Sequence, residues 1–161
     1  MQQSNKLHVT LLFLLNGDQV LLAMKKRGFG AGLYNGVGGK LDPGETVEQA
    51  AVRECQEEVT VTPRHIQKVA QLNFVFAESK PPQPDMYVTT FITSEWDGEP
   101  NETEEMSPKW FKQADIPYKD MWEDDPHWLP QVLEGKKVVG DFSFNLQNKL
   151  IRHDVRVVDQ L

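Results

Sequence analysis

Glu54, Glu57 and Glu58 fall within the second half of the segment 46–59, TVEQAAVRECQEEV. If that segment is a helix, spacings of three and four put all three carboxylates on one face. Like charges so placed repel by roughly 0.2–0.5 kcal/mol per pair, and a hard cation relieves that repulsion. Clustered carboxylate oxygens suit Mg²⁺ or Mn²⁺. Mg²⁺ commonly keeps waters and completes its shell with substrate phosphate. Just upstream, Gly36, Gly38 and Gly39 permit close backbone approach and can present N–H groups to phosphate oxygens. Metal beside phosphate, with a carboxylate left to orient water, is a hydrolase arrangement. Arg53 lies one helical turn before Glu57 and can hold that carboxylate in place. Taken singly, an acidic helix face is most often solvated surface and a glycine cluster most often a turn. Their combination at fixed spacing carries the functional reading.

These residues need elements to position them. Thr46 can cap the acidic helix, with Gln49 completing a capping box, and Val47, Ala50 and Ala51 form its packing stripe. Residues 7–15 (LHVTLLFLL) read as a buried strand, Asn16-Gly17-Asp18 as a hairpin turn, and 19–24 as the returning strand. Residues 25–39 read as a glycine-rich loop with a short strand near 34–37. Alternation predicts strands over 66–77 and 86–92, with a proline-rich loop over 79–84 between them. A short strand is expected at 109–112. Asp125-Pro126 reads as an N-cap and first helical residue of a helix running to about Leu133, whose first turn Pro130 weakens. Residues 138–144 and 150–158 read as a closing hairpin. Strands mixed with two helices predict one α/β domain built on a mixed sheet.

The spacing Gly39, five residues, Glu45, seven residues, then Arg53-Glu54-Cys55-Gln56-Glu57-Glu58 resembles the Nudix box over residues 39–61. Two positions depart from that pattern. Cys55 replaces a bulky aliphatic, a small apolar substitute. Thr60 replaces a glycine near the helix end, where a left-handed cap would oppose a β-branched side chain. The resemblance implies an α/β/α sandwich around a mixed sheet, in a single domain over 1–161. It implies Mg²⁺- or Mn²⁺-dependent hydrolysis of a nucleoside diphosphate linked to another group. It further implies Glu54, Glu57 and Glu58 as metal ligands and catalytic groups, Arg53 as their orienting cation, the Gly39 carbonyl as an extra ligand, and Glu45 as support.

Outside the box, "MKKRGFGAGLYNGVGGK", "DGEPNETEEMSPKWF" and "IPYKDMWEDDPHWLP" resemble the MutT-like branch of that family, which hydrolyses oxidised purine nucleoside triphosphates. That likeness implies that Asn35, Trp122, Asp124 and Asp125 hold the purine. It makes Phe74 and Met86 apolar walls, with Phe29 and Trp128 shaping the pocket. Thr10 and Lys25 fall near base and sugar, and Glu105 is a loop acid near the metal. An aromatic such as Trp122 stacks on a base, and two adjacent carboxyls sharing a proton offer both donor and acceptor. Asp124-Asp125-Pro126 reads equally well as a helix cap beside a core tryptophan. Other nucleoside diphosphate derivatives (dinucleoside polyphosphates, ADP-sugars, RNA caps) and a non-catalytic nucleotide-binding module are the competing functions. The self-repelling acid cluster argues against the last.

Composition narrows the classes further. The chain has 161 residues and a net charge of −7, which argues against a stable nucleic-acid complex or a membrane partner. Its longest apolar run is too short to cross a bilayer, and residues 1–6 lack the features of a signal peptide. The single cysteine fits a reducing cytoplasm. A monomer acting on a small-molecule nucleotide is expected. His8, His65, His127 and His153 show no metal-binding spacing.

Overall fold

The computed structural model describes residues 6–76 and 83–161. Strand β1 (Leu7–Asn16) is buried on both faces, which is why it reads as a nearly continuous apolar run. Phe13 enters one core while Leu12 and Leu14 enter the other. The turn at Gly17, with φ 60°, returns the chain as β2 (Gln19–Lys25). β1 and β2 pair at Leu15↔Val20 and Asn16↔Gln19 and then diverge. β3 (Tyr34–Asn35) pairs with β2, and the glycine segment beyond it crosses to β1. There Leu12 N–H donates to Val37 O at 2.6 Å and Thr10 N–H to Gly39 O at 2.9 Å.

Helix α1 (Val47–Val59) starts at the capping box expected from Thr46 and Gln49. It buries Ala51, Cys55 and Val59 against Leu12, Leu14, Leu21 and Phe91. At its end Thr60 does adopt the left-handed conformation, φ 65° and ψ 28°, and its N–H donates to Gln56 O. Its hydroxyl donates to Glu99 O at 2.9 Å and accepts from Asn101 Nδ2 at 3.1 Å. Those bonds offset the strain a glycine would avoid.

The remaining elements are β4 (Thr62–Arg64), β5 (Gln67–Val75), β6 (Met86–Thr93), β7 (Glu95–Asp97), β8 (Met106–Lys112), α2 (Asp125–Leu133), β9 (Lys137–Phe144) and β10 (Leu150–Val158). The main sheet runs β10-β9-β5-β6-β1-β2-β3, with β8 on β2. β1/β6 and β5/β9 are parallel and the other pairs antiparallel, so the sheet is mixed. α1 covers the Leu12 face and α2 the Phe13 face, giving the α/β/α layering.

Three details differ from the sequence reading. The small sheet β4–β7 was not anticipated, because three-residue strands carry no readable alternation. β8 begins at Met106 and includes Pro108, which an edge strand tolerates. The α2 cap position belongs to Asp124, not Asp125, and Asp124 makes no side-chain cap bond. Pro130 stays within α2, where its ring removes one bond, to the first turn. The predicted strand end at Ala77, most of the 79–84 loop and residues 1–5 lie outside the described residues.

Candidate active site

Arg53 is the hub of the acidic helix. Its guanidinium meets both Glu45 oxygens at 2.7 and 3.0 Å, Glu54 at 3.0 Å, Glu57 at 3.2 Å and the Lys40 carbonyl at 3.0 Å. These bonds tie the loop before α1 to the helix. Arg53 hydrogen-bonding holds the Glu45 carboxyl below its usual range and keeps Arg53 itself firmly charged. Glu54 goes the other way: burial raises it, against the pull of Arg53. Glu58 is 6% exposed, and burial with the nearby Glu54 charge pushes it up to about 8. The Gly38 N–H approaches its Oε2 at 3.4 Å, a long contact that compensates little.

The glycines serve packing more directly than expected. A Cβ on Gly38 would lie 1.8 Å from Thr10 O, and one on Gly39 would lie 2.6 Å from the Glu54 carboxyl. Gly36 N–H donates to Asn35 Oδ1 at 2.8 Å, so this amide is turned to a side chain and not free to meet phosphate. The absent side chains let the glycine strand lie on β1, with the Gly39 α-carbon facing the Glu54 carboxyl and its carbonyl accepting from Thr10 N–H at 2.9 Å.

At the other end of the site, Asp124 and Asp125 are 3% and 2% exposed. Trp128, wholly buried, donates its Nε1–H to Asp124 Oδ2 at 2.9 Å. That bond takes the place of a helix cap. Burial raises Asp124 to about 6, against the Trp128 hydrogen bond, and raises Asp125 further because Asp124 lies beside it. Asp125 Oδ2 has no hydrogen-bond partner. Trp122 is half-buried, tilted against Phe29 with ring centroids 5.0 Å apart and edge-on to Phe144 at 5.5 Å.

One cavity of about 520 Å³ joins the two ends. Thr10, Lys25, Phe29, Asn35, Phe74, Met86, Trp122, Asp124, Asp125 and Trp128 line it, as do Gly39, Glu54, Glu58 and Glu105. Glu57 instead borders an adjoining cleft of about 280 Å³, and Arg53 borders neither, so it acts through its neighbours. Val9, Leu11, Phe76, Val88 and Phe144 also line the cavity and were not singled out from sequence. The alternation along their strands marks a shared face, but not that the face is open.

The donor set fits a hard divalent cation. Glu54, Glu58 and Glu105 line both cavities with carboxyl oxygens, the donor type such a cation takes, and buried Glu58 is a carboxyl with little compensation for its charge when ionised. Among the described residues no three acidic, His or Cys side chains are already gathered tightly enough to hold an ion. Arg53 Nη1 bonds both Glu54 and Glu57 and turns those carboxyls toward the guanidinium.

The NUDIX domain profile matches residues 5–132. The oxidized purine nucleoside triphosphate hydrolase of Mus musculus is 43% identical over 150 residues, 93% of this chain and 94% of that protein. Its Danio rerio counterpart is 40% identical over 95% of this chain and 96% of its own length. Among solved structures, the MutT protein of Bacillus halodurans superposes with a TM-score of 0.82 at 24% identity, covering 92% of this chain and 97% of that one, a likeness of fold.

Proposed function

The chain belongs to the NUDIX family, and on that premise we propose that it is a pyrophosphohydrolase that converts oxidised purine nucleoside triphosphates to monophosphate and pyrophosphate. The observation that carries this reading is the single cavity with a stacking, carboxyl-bearing end and an acidic, glycine-lined end. The base lies against Trp122, where stacking contributes roughly 1–3 kcal/mol. Asp124 and Asp125 share a proton near neutral pH, so one donates while the other accepts. Oxidation at C8 turns a purine ring acceptor into a donor, and such a pair distinguishes the two. Thr10, Asn35, Phe74, Met86, Phe29 and Trp128 fix the shape of this end, and Lys25 lies near the sugar.

Glu54, Glu57, Glu58, Glu105 and the Gly39 carbonyl are the residues that would hold Mg²⁺, or Mn²⁺. The ion they would hold would supply charge neutralisation to the phosphates. A carboxylate of the acidic helix takes a proton from water. That water attacks an internal phosphorus, and the bond to the distal phosphates breaks to release pyrophosphate. Arg53 keeps Glu54 and Glu57 in register for this step.

We treat residues 1–161 as one catalytic domain, because β1 and the terminal β9–β10 hairpin join the same sheet. A monomer in the cytoplasm is the expected setting, with no stable nucleic-acid or membrane partner. No helix among the described residues is long and apolar enough to cross a membrane. The test is a panel of 8-oxo-dGTP, 2-hydroxy-dATP, dGTP, dATP, ADP-ribose, a dinucleoside polyphosphate and capped RNA, with products identified by phosphorus NMR. Preference for an oxidised purine with pyrophosphate release supports the proposal. Orthophosphate as first product, or preference for ADP-ribose or a cap, overturns it.

A further inference from the structure

Lys25 and Arg27 lie two residues apart yet face different spaces. Lys25 lines the inner cavity and Arg27 the outer cleft, while Glu54, Glu58 and Glu105 line both. A phosphate chain whose nucleoside sits inside has a path past these three glutamates into the outer cleft. That cleft is bordered by Glu54, Glu57, Glu58, Glu104 and Glu105, with Arg27 the single Lys or Arg among its described lining residues. A polyphosphate entering it meets like charge that needs local compensation.

Arg27 is built to move. Its root is fixed, because Lys26 N–H donates to Glu105 O at 2.9 Å and Lys26 Nζ meets Glu102 at 2.7 Å. Its head is loose. The side chain is 63% exposed, and its Nη2 lies 3.3 Å from Glu105 and 4.0 Å from Glu104. Exposed pairs of this kind contribute little and are readily exchanged. Phosphate oxygens accept from a guanidinium in bidentate fashion and bind it more tightly than a solvated carboxylate pair does.

We infer that Arg27 is the specificity residue for the distal phosphates, leaving Glu105 and Glu104 to grip the pyrophosphate half of the substrate. The exchange also frees Glu105 on the rim of the inner cavity, so arrival of the phosphates and release of that carboxylate are one event. Arg27 thereby favours a triphosphate over the corresponding diphosphate. The inference rests on the pyrophosphohydrolase reading above.

The experiment compares wild type, Arg27→Gln and Arg27→Lys. It measures kcat/KM for the triphosphate and diphosphate of one preferred nucleoside, and calorimetric Kd for inorganic pyrophosphate and for the nucleoside monophosphate. Arg27→Gln is expected to weaken pyrophosphate binding by about tenfold or more and to shrink the triphosphate preference similarly. Monophosphate affinity stays within about twofold, and Arg27→Lys, which keeps charge without the fork, falls between. A merely structural role would move the monophosphate and the melting temperature as well. Unchanged pyrophosphate affinity and triphosphate preference in Arg27→Gln overturn this inference alone. A wild type inactive on every triphosphate overturns the functional reading and this inference with it.

Discussion

Asp124→Asn tests the buried carboxyl pair by stability, independent of turnover. The amide oxygen can still accept from Trp128 Nε1, which now reaches Asp124 Oδ2 at 2.9 Å, and the amide nitrogen can donate to Asp125. Shape and hydrogen bonding are thus retained while one ionisation is removed. In the folded protein burial raises Asp124 from 3.8 to about 6. Between those values the folded chain holds a proton that the unfolded chain has released, so wild-type stability falls as pH rises through that window. Above it the loss is complete, about 3 kcal/mol at roughly 1.4 kcal/mol per tenfold change in acidity. Asp125, raised further, extends the decline upward in pH. Asp124→Asn should equal wild type near pH 4 and exceed it at pH 8 by about 3 kcal/mol, or roughly 6–12 °C in Tm for a chain of this size. The assay is thermal unfolding by circular dichroism at pH steps from 4 to 8, with selectivity between 8-oxo-dGTP and dGTP measured alongside. The variant should be more stable and less selective, since an amide cannot exchange donor for acceptor. A Tm difference that stays flat across this pH range would refute the shared-proton reasoning, and unchanged selectivity would refute its link to the base.

Glu58→Gln replaces a buried carboxyl with an amide of the same size, so the fold should persist by circular dichroism while hydrolysis drops by at least about 100-fold; turnover near wild type would remove Glu58 from the reaction. Gly38→Ala should cost more than about 4 kcal/mol in urea unfolding, because its Cβ would collide with Thr10 O at 1.8 Å. Gly44→Ala, in open space at φ 80°, should cost about 1 kcal/mol, and equal losses at the two sites would refute the packing account. Thr60→Val keeps the branched side chain in its left-handed cap but loses the bonds to Glu99 and Asn101, so it should destabilise by about 2 kcal/mol. Thr60→Gly should come closer to wild type, because relief of strain offsets the same lost bonds. A more stable Thr60→Val would contradict that balance.

What the sequence determined by itself is local. The capping box at Thr46, the one-sided glutamates and the alternating strands depend on neighbours within a turn or a pleat, and periodicity reports those directly. The buried run of β1 and the closing hairpin were legible for the same reason. What tertiary structure decided joins residues far apart in the chain. Thr60 is held in its cap by Glu99 and Asn101, about forty positions away. Asp124 forgoes the cap its residue type favours because burial places Trp128 Nε1 within its reach. Gly38 is required by the carbonyl of Thr10, which no local pattern brings near it. The cavity itself exists because β1 and β2 pair only at their hairpin end and diverge beyond it. That opening is a property of how strands pack, and no single strand's sequence contains it.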